Sequence, residues 1–68
     1  MFRLRIKELA GKRGWTLKEV AERSELPYST VATYANSPGM VMVNLLSVQK
    51  IARVFDVSIE ELVEVLEE

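Results

Sequence analysis

The sequence predicts an all-α domain of five short helices, and three observations support this fold class. Apolar residues recur at helical spacing in several short stretches. Two segments, Thr16–Glu19 and Ser58–Glu61, place a hydroxyl residue three positions before a glutamate, which is typical of a helix start. The chain has 68 residues with no cysteine and no histidine, so the core must form by helix packing without disulfides. We therefore expect residues 1–68 to form a single domain.

Helix 1 is expected over about residues 5–13, after a short extended start. Apolar and basic residues alternate over residues 2–7, which is the periodicity of a strand, before the helical pattern begins. Gly11 weakens helix 1 and Gly14 ends it. Trp15 follows in the loop and is predicted to fill the edge of the core.

Helices 2 and 3 are separated by very few residues. Thr16 caps helix 2, which is expected to run to about Ser24. Pro27 suits the first turn of helix 3, because a residue there needs no intrahelical N–H donor. Helix 3 then covers about residues 28–36 and ends at the Asn-Ser-Pro-Gly turn signal of residues 36–39.

Helices 4 and 5 occupy the C-terminal part of the chain. Residues 40–43 are expected to form an extended connector, after which Asn44 caps helix 4. The apolar stripe of helix 4 comprises Leu45, Val48, Ile51, Ala52 and Phe55. Leu46 and Val54 widen this stripe, which predicts that helix 4 is the most buried helix. Helix 5 follows Ser58, with an apolar face of Ile59, Leu62, Val63 and Leu66 and with Glu60, Glu64 and Glu67 facing outward.

The net charge of −1 conceals an uneven distribution along the chain. Residues 1–36 hold seven basic and four acidic residues, a net charge of +3. Residues 37–68 hold two basic and six acidic residues, a net charge of −4. One end of the molecule can therefore face a polyanion while the other repels it. The alternative is that chance and helix-end preferences produce the same distribution.

The short link between helices 2 and 3 requires the two helices to cross steeply. Burial then divides their residues into two groups. The inside of the corner is expected to hold Val20, Ala21, Leu26, Val31 and Tyr34. The outward face of helix 3 is expected to hold Tyr28, Ser29, Ala32, Thr33 and Asn36. This face is narrow and carries short side chains, so it can enter the major groove of B-DNA, which is about 12 Å wide.

Two segments carry a resemblance to a known family: TLKEVAERSELPYSTVATYAN and LLSVQKIARVFDVSIEELVEVL. Together they resemble the Cro/cI-type (XRE-like) helix-turn-helix family over nearly the whole chain. The resemblance implies a compact five-helix lambda-repressor-like domain in which helix 3 reads DNA. It also implies a homodimer on a two-fold symmetric site, and a small repressor-like transcriptional regulator that binds double-stranded DNA sequence-specifically.

The sequence departs from the family pattern at several positions. Leu17 stands where the family has a glutamine that contacts phosphate. Glu25 stands at the turn glycine, and a positive φ there would strain it by roughly 1 kcal/mol. Asp56 replaces the glycine after helix 4 and tolerates left-handed geometry better. The loop of residues 36–44 carries no charge, so we expect few phosphate contacts from it.

Position and resemblance together predict seven DNA-contacting residues: Thr16, Lys18, Tyr28, Ser29, Thr30, Thr33 and Asn36. Thr16 and Lys18 would lie over a phosphate at the start of helix 2. The side chains of helix 3 would reach bases or phosphates. Each has an ordinary alternative: solvation for Lys18, a surface contact on Pro27 for Tyr28, and a bond back to the helix for the hydroxyls. For Asn36, we favour a helix-capping role over a base contact.

Several classes of function are not supported by the sequence. No catalytic constellation and no phosphate-binding glycine loop is present, so we expect neither an enzyme nor a cofactor. No membrane association and no small-molecule substrate is indicated, and a cytoplasmic protein is expected. For Arg3, Arg5 and Arg13, an ordinary surface position is favoured over the alternative of a contact that flanks the DNA. The rival to DNA binding is a protein-interaction module of the same fold that has lost its DNA-binding function.

Overall fold

The computed structural model describes residues 1–37, 39 and 42–66, and this part of the chain forms five helices and two short strands. In chain order the elements are β1 (Phe2–Leu4), α1 (Ile6–Arg13), α2 (Leu17–Ser24), α3 (Tyr28–Asn36), α4 (Leu45–Phe55), α5 (Ile59–Leu62) and β2 (Val63–Val65). The five-helix prediction and its extended start are confirmed. Pro38 of the predicted turn, Met40 and Val41 of the predicted connector, and Glu67 of the predicted helix 5 lie outside the described residues.

Helices α1, α2 and α4 end in the same way, on a residue with left-handed backbone. These residues are Gly14 with φ 69°, Glu25 with φ 60° and Asp56 with φ 55°. Only glycine adopts this conformation without a steric cost to Cβ, so Glu25 and Asp56 are strained positions. The condition under which strain is expected at Glu25, a positive φ at the position of the family's turn glycine, is therefore met.

A repeated sequence pattern accompanies these three helix ends. An alanine lies four residues before the left-handed position, and an apolar residue follows that position: Ala10 and Trp15, Ala21 and Leu26, Ala52 and Val57. In each case the N–H of the apolar residue donates to the carbonyl of the alanine, at 2.9 to 3.1 Å. This is the Schellman motif, and the small alanine is buried each time.

Helices α2, α4 and α5 begin with a side-chain cap, as the sequence predicts, whereas α1 and α3 begin without one. The Thr16 hydroxyl accepts from the Glu19 N–H at 3.2 Å. The Asn44 side-chain oxygen accepts from the N–H groups of Leu46 and Ser47, at 2.9 and 3.2 Å. At Ser58 both halves of the capping box form, since the Glu61 carboxylate also accepts from the Ser58 N–H at 3.2 Å. These bonds satisfy amides that lack an intrahelical acceptor.

The core lies where all five helices and β1 converge. Its buried apolar residues are Leu4, Ile6, Ala10, Val20, Ala21, Val31, Val48, Ile51, Ala52, Phe55 and Leu62. The prediction for the start of α4 is wrong: Leu45 is 68% exposed and Leu46 60% exposed. Both lie in the first turn of α4, and the buried face of this helix begins only at Val48.

The prediction for helix 5 is wrong beyond Leu62. There α5 ends, and β2 pairs antiparallel with β1, with Phe2 opposite Val65. The Arg5 N–H donates to the Leu62 carbonyl at 2.9 Å, and the Leu66 N–H donates to the Met1 carbonyl at 3.1 Å. The helical spacing of the apolar residues is overridden because β1 offers backbone partners to a Val-Glu-Val segment that suits a strand.

Candidate nucleic-acid interface

The corner between α2 and α3 is held by a buried inner face. Val20 and Ala21 of α2 and Val31 of α3 are buried in the core. Ser24 is also buried, and its hydroxyl donates to the Val20 carbonyl at 2.7 Å, so no polar group of this side chain is left unsatisfied. Leu26, in the turn itself, packs against the core. These contacts fix the position of α3 against α2.

The opposite face of α3 is exposed and carries short polar side chains. Ser29, Thr33 and Asn36 are exposed and lie within about 60° of one another around the helix. Tyr28, at the start of α3, is 55% exposed. Ala32 is half-buried beside them. We call the face formed by Tyr28, Ser29, Thr33 and Asn36 the α3 ridge.

Two of the predicted contact residues of α3, Thr30 and Asn36, are less available for a contact with DNA. Thr30 is half-buried on the flank of the α3 ridge. The Asn36 side-chain amide donates to the Ala32 carbonyl at 2.9 Å, which agrees with the favoured capping role. The structure therefore brings four of the predicted residues to one outward surface and leaves Thr30 at its margin.

Thr16 and Lys18 are both exposed at the N-terminal end of α2. Between them, Leu17 is half-buried and packs against the core. Its side chain therefore serves packing, so this chain has no polar group at that position for a phosphate. The free amides at a helix N-terminus and the Lys18 ammonium still favour an anion.

Tyr34 connects α3 to the segment that precedes α4. It is half-buried, and its hydroxyl accepts from the Asn44 N–H at 3.2 Å. The described residues beside this bond expose much apolar surface, with Met42 84% and Leu45 68% exposed. This side of the α3 ridge is therefore uncharged and apolar.

The other side of the α3 ridge is cationic. Ala35 of α3 lines a cleft of about 250 Å³ whose other walls come from β1 and α1. Its lining residues are Arg3, Leu4, Arg5, Lys7, Glu8 and Ala35, and we call it the β1–α3 cleft. The alternation of apolar and basic residues over residues 2–7 indicates an extended segment but not this cleft. No sequence pattern indicates that β1 lies beside α3.

Arg13 and Arg23 both lie against the Trp15 ring, in the loop between α1 and α2. The Trp15 ring stacks on Phe55 with centroids 5.6 Å apart, and the Arg23 guanidinium lies 4.3 Å from the Trp15 centroid. Arg13 donates to the Phe55 carbonyl at 2.7 Å. The predicted filling role of Trp15 is confirmed, and Arg13 makes a structural bond there.

A family model described as helix-turn-helix matches residues 6–62, which is most of the chain. The protein therefore belongs to the Cro/cI-type (XRE) helix-turn-helix family. This membership supports a DNA-binding function of the transcription-regulator type, with double-stranded DNA as the partner. The family is one of DNA-binding regulators and is not typically enzymatic. Comparisons with curated proteins and with solved structures gave no match.

Among the residues that the structure describes, no helix combines the length and apolar character needed to cross a bilayer.

Proposed function

We propose that this protein is a repressor-like regulator that binds double-stranded DNA sequence-specifically, with α3 in the major groove. The observation that carries the proposal is the α3 ridge, which is exposed while the opposite face of α3 is buried at Val31. The side chains of Ser29, Thr33 and Asn36 in this ridge are short enough for the helix to approach base edges closely. Residues 1–68 act as one domain in this proposal.

The contacts divide into base-reading and positioning groups. Ser29 and Thr33 project from the middle of the α3 ridge and bond base edges or phosphates. Tyr28 packs on a thymine methyl or bonds a phosphate, and Thr30 contacts the backbone from the margin. Asn36 bonds the duplex through its amide oxygen or the second hydrogen of its amide nitrogen, since the first hydrogen is donated to the Ala32 carbonyl. Thr16 and Lys18 hold a phosphate at the start of α2 and set the docking angle.

The active form is a homodimer in this proposal, since one α3 ridge reads only a few base pairs. Val65 is 72% exposed on β2, and the β1–β2 ribbon presents backbone edges that a second copy can pair with. For one duplex to contact both copies, the two-fold axis must bring both α3 ridges to one side of the assembly. Sedimentation showing only monomer at high protein concentration, with and without DNA, would exclude it.

The test of DNA binding is selection of bound duplexes from a random pool at a stated salt concentration. We expect a recurring sequence whose affinity falls steeply with salt. Ser29→Glu places a carboxylate on the α3 ridge and should abolish binding. Gln49→Glu adds the same charge at an exposed position of α4 and should weaken binding far less. Recovery of random sequences, or equal effects of the two variants, would contradict base reading by α3.

One observation favours a second function, a protein-interaction module. Met42, Leu45 and Leu46 are exposed large apolar residues close together in sequence, in the uncharged region before and within α4. Such surface is typical of a protein contact. If this function holds, the chain shows no salt-dependent retention on DNA, and Leu46→Ser weakens partner binding while Ser29→Glu does not.

A further inference from the structure

The β1–α3 cleft has the charge and the position of a phosphate site. Three cations line it, namely Arg3, Arg5 and Lys7, against the single carboxylate of Glu8. Guanidinium groups donate through a planar fork that matches phosphate oxygens, and lysine adds a point charge. A volume of about 250 Å³ is large enough to admit a phosphodiester group with its waters.

The cleft borders the α3 ridge on its cationic side. Ala35 lines the cleft and lies about 60° around the helix from Ala32, which itself flanks the ridge. A duplex whose major groove holds the α3 ridge must pass one of its strands along each flank of the helix. The strand on the Ala35 side meets the cleft.

Two of the cations are already engaged within the molecule. The Glu64 carboxylate on β2 pairs with Arg3 and, at 3.9 Å, with Arg5. Both arginine side chains remain more than 40% exposed, and ion pairs of such exposure are weak. A phosphate can therefore replace Glu64 at these guanidinium groups. Among the described residues, Lys7 is in neither of these ion pairs.

We propose that the β1–α3 cleft binds one backbone phosphate of duplex DNA, and that Glu64 competes with this phosphate for Arg3 and Arg5. The inference rests on the proposed function, because it assumes that the α3 ridge lies in the major groove. It assigns DNA contacts to β1 and the start of α1, outside the helix-turn-helix, and gives Glu64 the role of an internal competitor that lowers affinity.

A second cationic cleft supplies the matched control. Its lining residues are Arg23, Ser24, Glu25, Lys50, Arg53 and Val54, contributed by the end of α2, the turn that follows it and α4. Three cations and one carboxylate line it, as in the β1–α3 cleft, but no residue of α3 does. Removing charge there changes the net charge of the protein equally without touching the proposed phosphate.

The experiment measures the dissociation constant of the selected duplex across a salt series. Arg5→Gln/Lys7→Gln should reduce the slope of log affinity against log salt by about 0.9, the value for one lost phosphate contact. Lys50→Gln/Arg53→Gln should leave the slope unchanged. Glu64→Gln should tighten binding about two- to fivefold at low salt, because it removes a weak competing ion pair.

The outcomes separate this inference from the function on which it rests. If the unmodified chain binds the selected duplex but the two double variants have equal slopes, the cleft proposal is overturned and DNA binding stands. If Glu64→Gln binds no tighter, the competition is overturned. If the unmodified chain retains no duplex at any salt concentration, the function itself fails. Lys7→Gln alone tests the cleft without disturbing the β1–β2 ribbon, because Lys7 makes no ion pair with Glu64. This single variant should also lower the slope of log affinity against log salt.

Discussion

Helices α2 and α5 begin alike and end differently. Each starts with a hydroxyl N-cap that accepts from the amide of a glutamate three residues on, at Glu19 and at Glu61. Helix α2 runs for eight residues to a left-handed Schellman end, whereas α5 stops after four residues and continues as β2. Local residues determine where α2 ends, while a strand from the opposite end of the chain determines where α5 ends.

The difference predicts two kinds of mutational effect. Substitutions at the left-handed ends of α2 and α4 alter only the local backbone energy, so their effect on the free energy of unfolding is small. Changes to β1 remove the partner of β2 and part of the core together, so their cost is larger. Three substitutions, taken from the largest expected effect to the smallest, test this division.

Leu4→Ala should lower the free energy of unfolding by about 2–4 kcal/mol, the usual cost of truncating a buried leucine. Leu4 is only 2% exposed and lies in β1 opposite Val63. Val65→Ala, in the exposed part of β2, should change stability by less than about 0.5 kcal/mol. Urea unfolding of both variants measures the comparison, and similar costs would show that β1 is not anchored by its buried side chain.

Glu25→Gly should raise the free energy of unfolding by about 0.5–1 kcal/mol, because glycine accepts the left-handed backbone without a Cβ penalty. In a domain of this size about 1 kcal/mol shifts the melting temperature by roughly 4–8 °C. Glu25→Ala removes the same charge but keeps a Cβ, so it should not stabilise. A lower melting temperature for Glu25→Gly than for the unmodified chain would show that the backbone at Glu25 is not strained.

Asp56→Gly should stabilise by only a few tenths of a kcal/mol. Aspartate tolerates left-handed geometry better than glutamate, so less strain is relieved at φ 55° than at Glu25. Asp56→Ala should be mildly destabilising, because alanine tolerates left-handed geometry less well than aspartate does. Calorimetry on the two glycine variants side by side ranks them, and a larger gain at Asp56 than at Glu25 would contradict this explanation.

The sequence predicts those elements whose causes are local. The caps at Thr16, Asn44 and Ser58 and the stop at Gly14 follow from residue chemistry within one helical turn. The possibility of a positive φ at Glu25 comes instead from the resemblance to the family, which has a glycine at this position. The alanine that recurs before each Schellman end is also visible in the sequence, as Ala10, Ala21 and Ala52. It distinguishes the three left-handed helix ends from the end of α5.

The errors have non-local causes. Val63 and Leu66 keep the helical spacing that starts at Ile59, and only pairing with β1 turns this segment into a strand. Leu45 belongs to the α4 stripe by spacing, yet the first turn of α4 extends beyond the core. In the candidate interface, the α3 ridge follows from helical periodicity alone. The β1–α3 cleft does not, because it depends on which strand packs beside Ala35.

The antiparallel ribbon also brings residue 1 beside residue 66, where the Leu66 N–H donates to the Met1 carbonyl. In a segment cut to residues 1–66, a peptide of a few residues would bridge these positions and join the backbone into a ring. Such a ring removes configurational freedom from the unfolded chain, and new ends could then be opened at an exposed loop. A circularly permuted form of this kind would carry its termini away from the ribbon and leave α2 and α3 contiguous.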